Sequence, residues 1–143
     1  MSLKNKEWDR RYLELAALVS TWSKDPRKQV GAVVTEDGFV RGVGFNGFPK
    51  GVTHTTERLH DKTKKNKIMI HAEPNALVAS EMQGNSIYVW PCLPCSQCMG
   101  LIIQAGIKKV VTGPLDADSA WDQELAIELA LEAGIDVLIL EEI

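Results

Sequence analysis

All three cysteines of the chain fall in one stretch, PCLPCSQC, residues 91–98, as two overlapping C-x-x-C pairs that share Cys95; His71, Ala72 and Glu73 lie upstream. Imidazole and thiolate are the donors that Zn²⁺ favours, and a catalytic zinc site takes three of them while leaving a fourth place for water. One histidine and two cysteines make such a set. Glu73, two residues past the histidine, is placed to move protons at that water without being a ligand. A purely structural site would close with a fourth ligand and would not need the carboxylate.

Spacing separates the two cysteine pairs only in part. Cys95 and Cys98 are three residues apart at the first turn of a helix whose apolar face continues as Leu101, Ile102 and Ala105, so both sulfurs fall on one side. The positive end of that helix helps keep the thiols ionised. Cys92 precedes them in the strand-to-helix turn. A Cys92–Cys95 pair would place Pro94 between its ligands, which the first turn of a helix tolerates, so that pairing stays open. With Cys95 and Cys98 as ligands, Cys92 becomes a small buried filler or a thiol beside the site. Read alone, C-x-x-C also fits a structural zinc half-site or a redox pair; H-x-E in register favours catalysis.

The elements that must hold these groups follow from periodicity. Trp8, Tyr12, Leu15, Val19 and Trp22 recur at three- and four-residue steps on an opening helix that KDP stops. Trp8, Trp22 and Trp121 read as core or subunit contacts. VGAVVT and FVRGVGF flank the turn EDG as a hairpin, and residues 46–70 carry little periodicity. AEPNALVASEM then reads as a helix closed by Gly84, SIYVW as a strand, and SQCMGLIIQA as a helix ended by Gly106. KKVVT is a strand, SAWDQELAIELALEA a helix ended by Gly134, and DVLIL a strand. Helical crossovers make the last three strands parallel, beside an antiparallel hairpin. The expected fold is an α/β, three-layer α/β/α sandwich with a mixed five-stranded sheet, one domain over residues 1–143.

Bulk properties bound the function. At 143 residues, 45% hydrophobic and 24% charged, the chain is sized for one domain with a full core. Three cysteines within seven positions cannot tie distant segments by disulfides, and no signal-like start precedes them, which points to a reduced, cytoplasmic protein. No apolar run reaches the ~20 residues of a membrane span. A net charge of −3 argues against nucleic acid as a partner and for a small substrate.

HAEPNAL followed by PCSQC resembles the H-A-E and P-C-x-x-C signature of the zinc-dependent cytidine and deoxycytidylate deaminase superfamily. SKDPRKQVGAVV, GFNGFPKGV and CMGLIIQAGIKKVV resemble further stretches of the deoxycytidylate (dCMP) deaminases, in order along about the whole chain. The extra PCL, the RKQ segment and Pro74 after Glu73 depart from the usual pattern. The resemblance implies a cytidine deaminase-like fold, zinc on His71, Cys95 and Cys98, and Glu73 as proton carrier in the hydrolysis of dCMP to dUMP and ammonia. It further implies that backbone groups at Ala72 and Pro94 hold the amidine edge of the base, and that relatives form homo-oligomers. Asn46 either hydrogen-bonds the sugar hydroxyl, as the resemblance has it, or only makes a tight turn with Gly47. Trp90 either stacks near the base or fills the core. The same chemistry on cytidine, guanine or another base is the nearest alternative; a non-enzymatic zinc module is a more distant one.

RLHDKTKKNK, residues 58–67, concentrates positive charge directly before His71 in an otherwise acidic chain. Most charge runs are solvated surface. Here Arg58 or Lys62 is positioned to meet a 5′-phosphate, with Arg27 and Lys28 next in line. The same segment resembles the region where relatives bind a regulatory deoxynucleoside triphosphate with Mg²⁺. His54 and His60, with Cys92, are a weaker second metal candidate.

Overall fold

Apolar runs that alternate with helical crossovers produce the expected sheet, as a computed structural model describing residues 3–143 shows. In chain order the elements are α1 (Leu3–Ser20), β1 (Gly31–Glu36), β2 (Phe39–Phe45), α2 (Thr56–His60), α3 (Lys62–Ile68) and α4 (Ala72–Ala79). Then come β3 (Ser86–Trp90), α5 (Ser96–Gln104), β4 (Lys109–Thr112), a 3₁₀ turn (Ala117–Ser119), α6 (Ala120–Glu132) and β5 (Asp136–Ile139). The five strands run β2-β1-β3-β4-β5. β1 is antiparallel to both β2 and β3, while β3–β4 and β4–β5 are parallel, so the sheet is mixed as expected.

Alternate strand residues serve opposite faces. Val33, Tyr88 and Val111 meet Leu13 and Ala16 of α1 on one side. Ala32, Val34, Ile87, Val89 and Val110 meet α4, α5 and α6 on the other through Ala76, Leu77, Met99, Ile102, Ala126 and Ala130. The result is the three-layer sandwich. Gly106 and Gly134 adopt φ of 84° and 74°, the left-handed turn that ends α5 and α6.

Local expectations are corrected or narrowed at several points. The buried face of α1 is Asp9, Leu13, Ala16 and Val19, leaving Trp8 43% exposed; Trp22, beyond the helix, is 50% exposed, and Trp121 is 76% exposed, so none is core within the chain. Asp9 hides this face from a hydrophobic count, because it is buried by accepting from Tyr88 and from Lys109 at 2.8 and 2.9 Å. α4 stops at Ala79, since Glu81 and Met82 turn the chain at φ of 58° and 60° well before Gly84. Gly84 serves packing instead: a Cβ there would meet Val34 at 2.3 Å. The unpatterned segment also holds two short helices, α2 and α3, capped by the side chains of Thr55 and Asp61. Trp90 is half-buried against the α1 side of the core.

Candidate active site

Two helix N-termini converge at the strand ends. His71 is the N-cap of α4 and Cys95 the N-cap of α5, where the Cys95 sulfur accepts from the backbone N–H of Cys98. α4 is held against β2 by Asn75, whose side-chain amide donates to Phe45 O at 2.8 Å. The His71 Nδ1 atom lies 3.7 Å from Cys95 Sγ and 3.3 Å from Cys98 Sγ. Zinc–nitrogen and zinc–sulfur bonds of ordinary length at a tetrahedral angle would separate N from S by roughly 3.6 Å, so the donor set fits the ion. Among the described residues this is the one His/Cys/Asp/Glu group of metal-binding spacing, and it omits Cys92, His54 and His60. Cys92 sits beside Lys28 instead, the His54 ring packs on Phe48 at 5.0 Å, and His60 Nδ1 meets Thr56 O.

The electrostatics suit the same ion. The Cys98 thiol beside it, against the cost of burial and with help from His71, pulls Cys95 down to about 4. Cys98 is pushed up by Cys95 and by burial. Contact with Cys95 raises His71 against the opposing effect of burial. A divalent ion would reverse the last two shifts by favouring thiolate and neutral imidazole. Glu73, in the first turn of α4 and 4% exposed, is raised by burial, as a group that must gain and lose a proton requires.

These groups open into a cavity of about 360 Å³, the size of a small-ligand site. His71, Ala72, Glu73 and Cys95 form its floor, and Cys92 and Leu93 lie beside them. Arg27, Lys28, Lys62 and Lys65 bring cations to its lining, and Asp116, Ser119, Asp122 and Gln123 line it as well. Lys28 pairs with Asp116 at 3.2 Å, and Lys65, buried, with Asp25 at 3.0 Å. Gln123 exchanges hydrogen bonds with the Asp116 backbone. Asn46 lines the cavity with its amide spread over three partners: Oδ1 accepts from Val30 N, while Nδ2 donates to Lys28 O at 2.9 Å and Asp25 at 3.4 Å. Pro94 is buried between the lining residues Leu93 and Cys95. Arg58 does not line the cavity; its guanidinium donates to Thr53 O.

Sequence reasoning passed over the buried Lys65 and the acids of the β4–α6 region. Lys65 lay inside the basic run already singled out, but nothing distinguishes it from its neighbours until α3 is docked. Asp122 carries no motif.

The zinc-binding region of the cytidine and deoxycytidylate deaminases, as a family model, matches residues 6–114. The deoxycytidylate deaminase of Pongo abelii is 38% identical over 137 residues, covering 87% of this chain and 76% of that one. An Aliivibrio fischeri protein described as an uncharacterized deaminase in the luxG 3′ region is 35% identical over 136 residues, covering 92% of each. The dCMP deaminase from cyanophage S-TIM5, solved in complex with dCMP and dUMP, superposes with a TM-score of 0.77 at 27% identity, covering 98% of this chain and 99% of that one. With the family's motifs assembled into one cavity, and with relatives of this identity aligned over most of its length, the chain belongs to the cytidine and deoxycytidylate deaminases of the zinc-binding family.

Proposed function

We propose that this protein hydrolyses dCMP to dUMP and ammonia, with zinc held by His71, Cys95 and Cys98. The observation that carries the reading is a buried Glu73 beside a nitrogen–sulfur–sulfur triangle, at the floor of a cavity with cations in its wall. A deoxycytidylate deaminase among the relatives and a dCMP- and dUMP-bound structure among the neighbours support the substrate.

When bound there, zinc supplies the Lewis-acid chemistry that makes water nucleophilic near neutral pH. Glu73 takes a proton from the attacking water and delivers it to N3 of the pyrimidine as the new C4–O bond forms. After the bond to the exocyclic nitrogen breaks, one water has been consumed and ammonia released, Glu73 having moved the second proton to that nitrogen. Ala72 and Pro94 would present backbone groups to the amidine edge. Asn46 keeps one lone pair of Oδ1 for a sugar hydroxyl, since its other capacity is spent inside the protein. Arg27 and Lys62, whose charged heads form no ion pair among the described residues, are the best-placed groups for the 5′-phosphate, ahead of Arg58.

The wider reading extends to compartment and assembly. Three free thiols accord with a reducing, cytoplasmic setting, and among the described residues no helix is long and apolar enough to cross a membrane. Trp8, Trp22 and Trp121 are available to contacts in a homo-oligomer. A regulatory deoxynucleoside triphosphate with Mg²⁺ would draw on the basic segment 58–67.

Glu73→Ala should abolish ammonia release from dCMP while keeping about one zinc per chain, because the carboxylate carries protons and does not ligate. Turnover retained in that variant would sink the mechanism, and a wild type that prefers deoxycytidine, cytidine or guanine would refute the nucleotide assignment.

A further inference from the structure

The start of α5 holds both candidate sulfur ligands, yet two of its hydrogen bonds are donated to another element. Backbone donors at a helix start lack partners within the helix. The Cys95 sulfur takes the N–H of Cys98, and the N–H of Ser96 goes across to Asp122 Oδ2 at 2.9 Å. Asp122 Oδ1 also accepts from the Ser96 hydroxyl at 2.7 Å. Both oxygens of one carboxylate, in the first turn of α6, are thus spent on the residue that follows Cys95.

We infer that Asp122 is a positioning residue for the metal centre: it clamps the start of α5 so that Cys95 and Cys98 meet His71 at ligand spacing. The family match ends at residue 114, so this clamp is supplied by a part of the chain outside the matched region. The physical reason is directional. The Cys95 sulfur takes only one backbone donor of the helix start, and a helix start whose other donors lack acceptors frays. A carboxylate accepting two hydrogen bonds is a stronger anchor, and it is favoured by the positive end of α5. Fraying by a fraction of an ångström would separate the sulfurs from Nδ1 while leaving the core intact, because Met99 and Ile102 remain packed beneath. Asp122 also lines the cavity, so substrate contact is the competing role.

The inference rests on zinc binding at this cluster and not on the identity of the base. The test is the rate at which the zinc-loaded protein loses its metal to an excess chelator, with steady-state kinetics on the zinc-saturated protein. Asp122→Ala should release zinc about tenfold faster, in line with the effect of losing groups that orient ligands. Its KM for dCMP should stay within about threefold of wild type. Asp122→Asn, which retains one acceptor oxygen, should recover part of the retention. Ser96→Ala should have a smaller effect by itself and none added to Asp122→Ala, because the hydroxyl acts through the same carboxylate. Wild-type zinc retention in Asp122→Ala overturns the inference, as does a KM raised tenfold with retention unchanged, or additive effects of the two substitutions. A wild type that binds no zinc would overturn this inference together with the assignment of the site, and so is distinguishable from failure of the clamp alone.

Discussion

Lys65 Nζ stands 3.0 Å from Asp25 Oδ1, and both side chains are only 7% exposed, so a buried ion pair joins α3 to the loop that follows α1. Asp25 is more than a counter-charge. Its carboxylate also accepts from the backbone N–H groups of Arg27 and Lys28 and, at longer range, from Asn46, ordering the loop at the cavity wall. Removing one partner from a buried pair leaves the other charge uncompensated, so Lys65→Met should cost roughly 3–5 kcal/mol in urea denaturation. Burial pushes Asp25 up, but the N–H of Arg27, then Lys65 and Lys28, outweigh it and hold the carboxyl below its ordinary value. A lowered acid contributes stability that is full above its unfolded value of about 3.9 and is lost as pH falls through the folded one. The stability gap between wild type and Asp25→Asn should therefore be widest above about pH 5 and narrow below about pH 4. A gap that widens on acidification would mean that Asp25 is not the stabilised anion.

Metal content should separate the three thiols. Cys98→Ser is expected to lose zinc at neutral pH, and Cys92→Ser to keep about one ion per chain, because Cys92 lies with Lys28 outside the group that holds His71. Elemental analysis of the purified variants is sufficient. The reverse pattern would assign the ion to Cys92 and Cys95.

Phosphate recognition is tested by comparing dCMP with deoxycytidine. A well-formed charge-assisted contact contributes roughly 1.5–3 kcal/mol, or tenfold to a hundredfold in affinity. Lys62→Ala or Arg27→Ala should lower kcat/KM for dCMP by about that factor and leave deoxycytidine nearly unchanged. Arg58→Ala should affect neither by more than about twofold, since its guanidinium is turned to Thr53 O. The assays exclude triphosphates, which could shift the enzyme between states. Equal losses on both substrates would show that the altered residue supports the wall and does not meet phosphate.

Backbone proximity at Gly44 supplies a further check. A Cβ there would lie 2.3 Å from Ala76 N and 2.7 Å from Ala72 O, atoms that can retreat only if α4 moves. Gly44→Ala should cost about 1–3 kcal/mol by crowding and should weaken zinc binding, because His71 caps the displaced helix. Gly100→Ala is the control: nothing lies within 4 Å of its Cβ position. In the interior of α5 it should be neutral or stabilise by up to ~1 kcal/mol. A urea midpoint for Gly44→Ala equal to that of wild type would contradict the close approach of β2 and α4.

Much of the site was legible in the linear order because its chemistry is local. His71 and Glu73 belong to one helix start and Cys95 and Cys98 to another, and a three-residue step within one turn places both sulfurs on one side without any knowledge of the fold. The strands were equally readable, since β-branched runs bounded by Gly and Pro announce themselves. What the sequence left open was every relation between polar groups on different elements. Cys92 and Cys98 were both available partners for Cys95 until the positions of α4 and α5 placed Nδ1 against one and not the other. Arg58 and Lys62 were equivalent cations in one run until Thr55 and Asp61 capped two short helices, which turned Arg58 to the Thr53 carbonyl and left Lys62 lining the cavity. Lys65 and Asp25, Asp122 and Ser96, and Asp9 with Tyr88 and Lys109 have no period to betray them. Hydrophobic burial repeats with the helix or strand and so writes itself into the sequence, whereas a hydrogen bond between distant residues depends on two elements being docked in one particular register, and only the tertiary structure decides that.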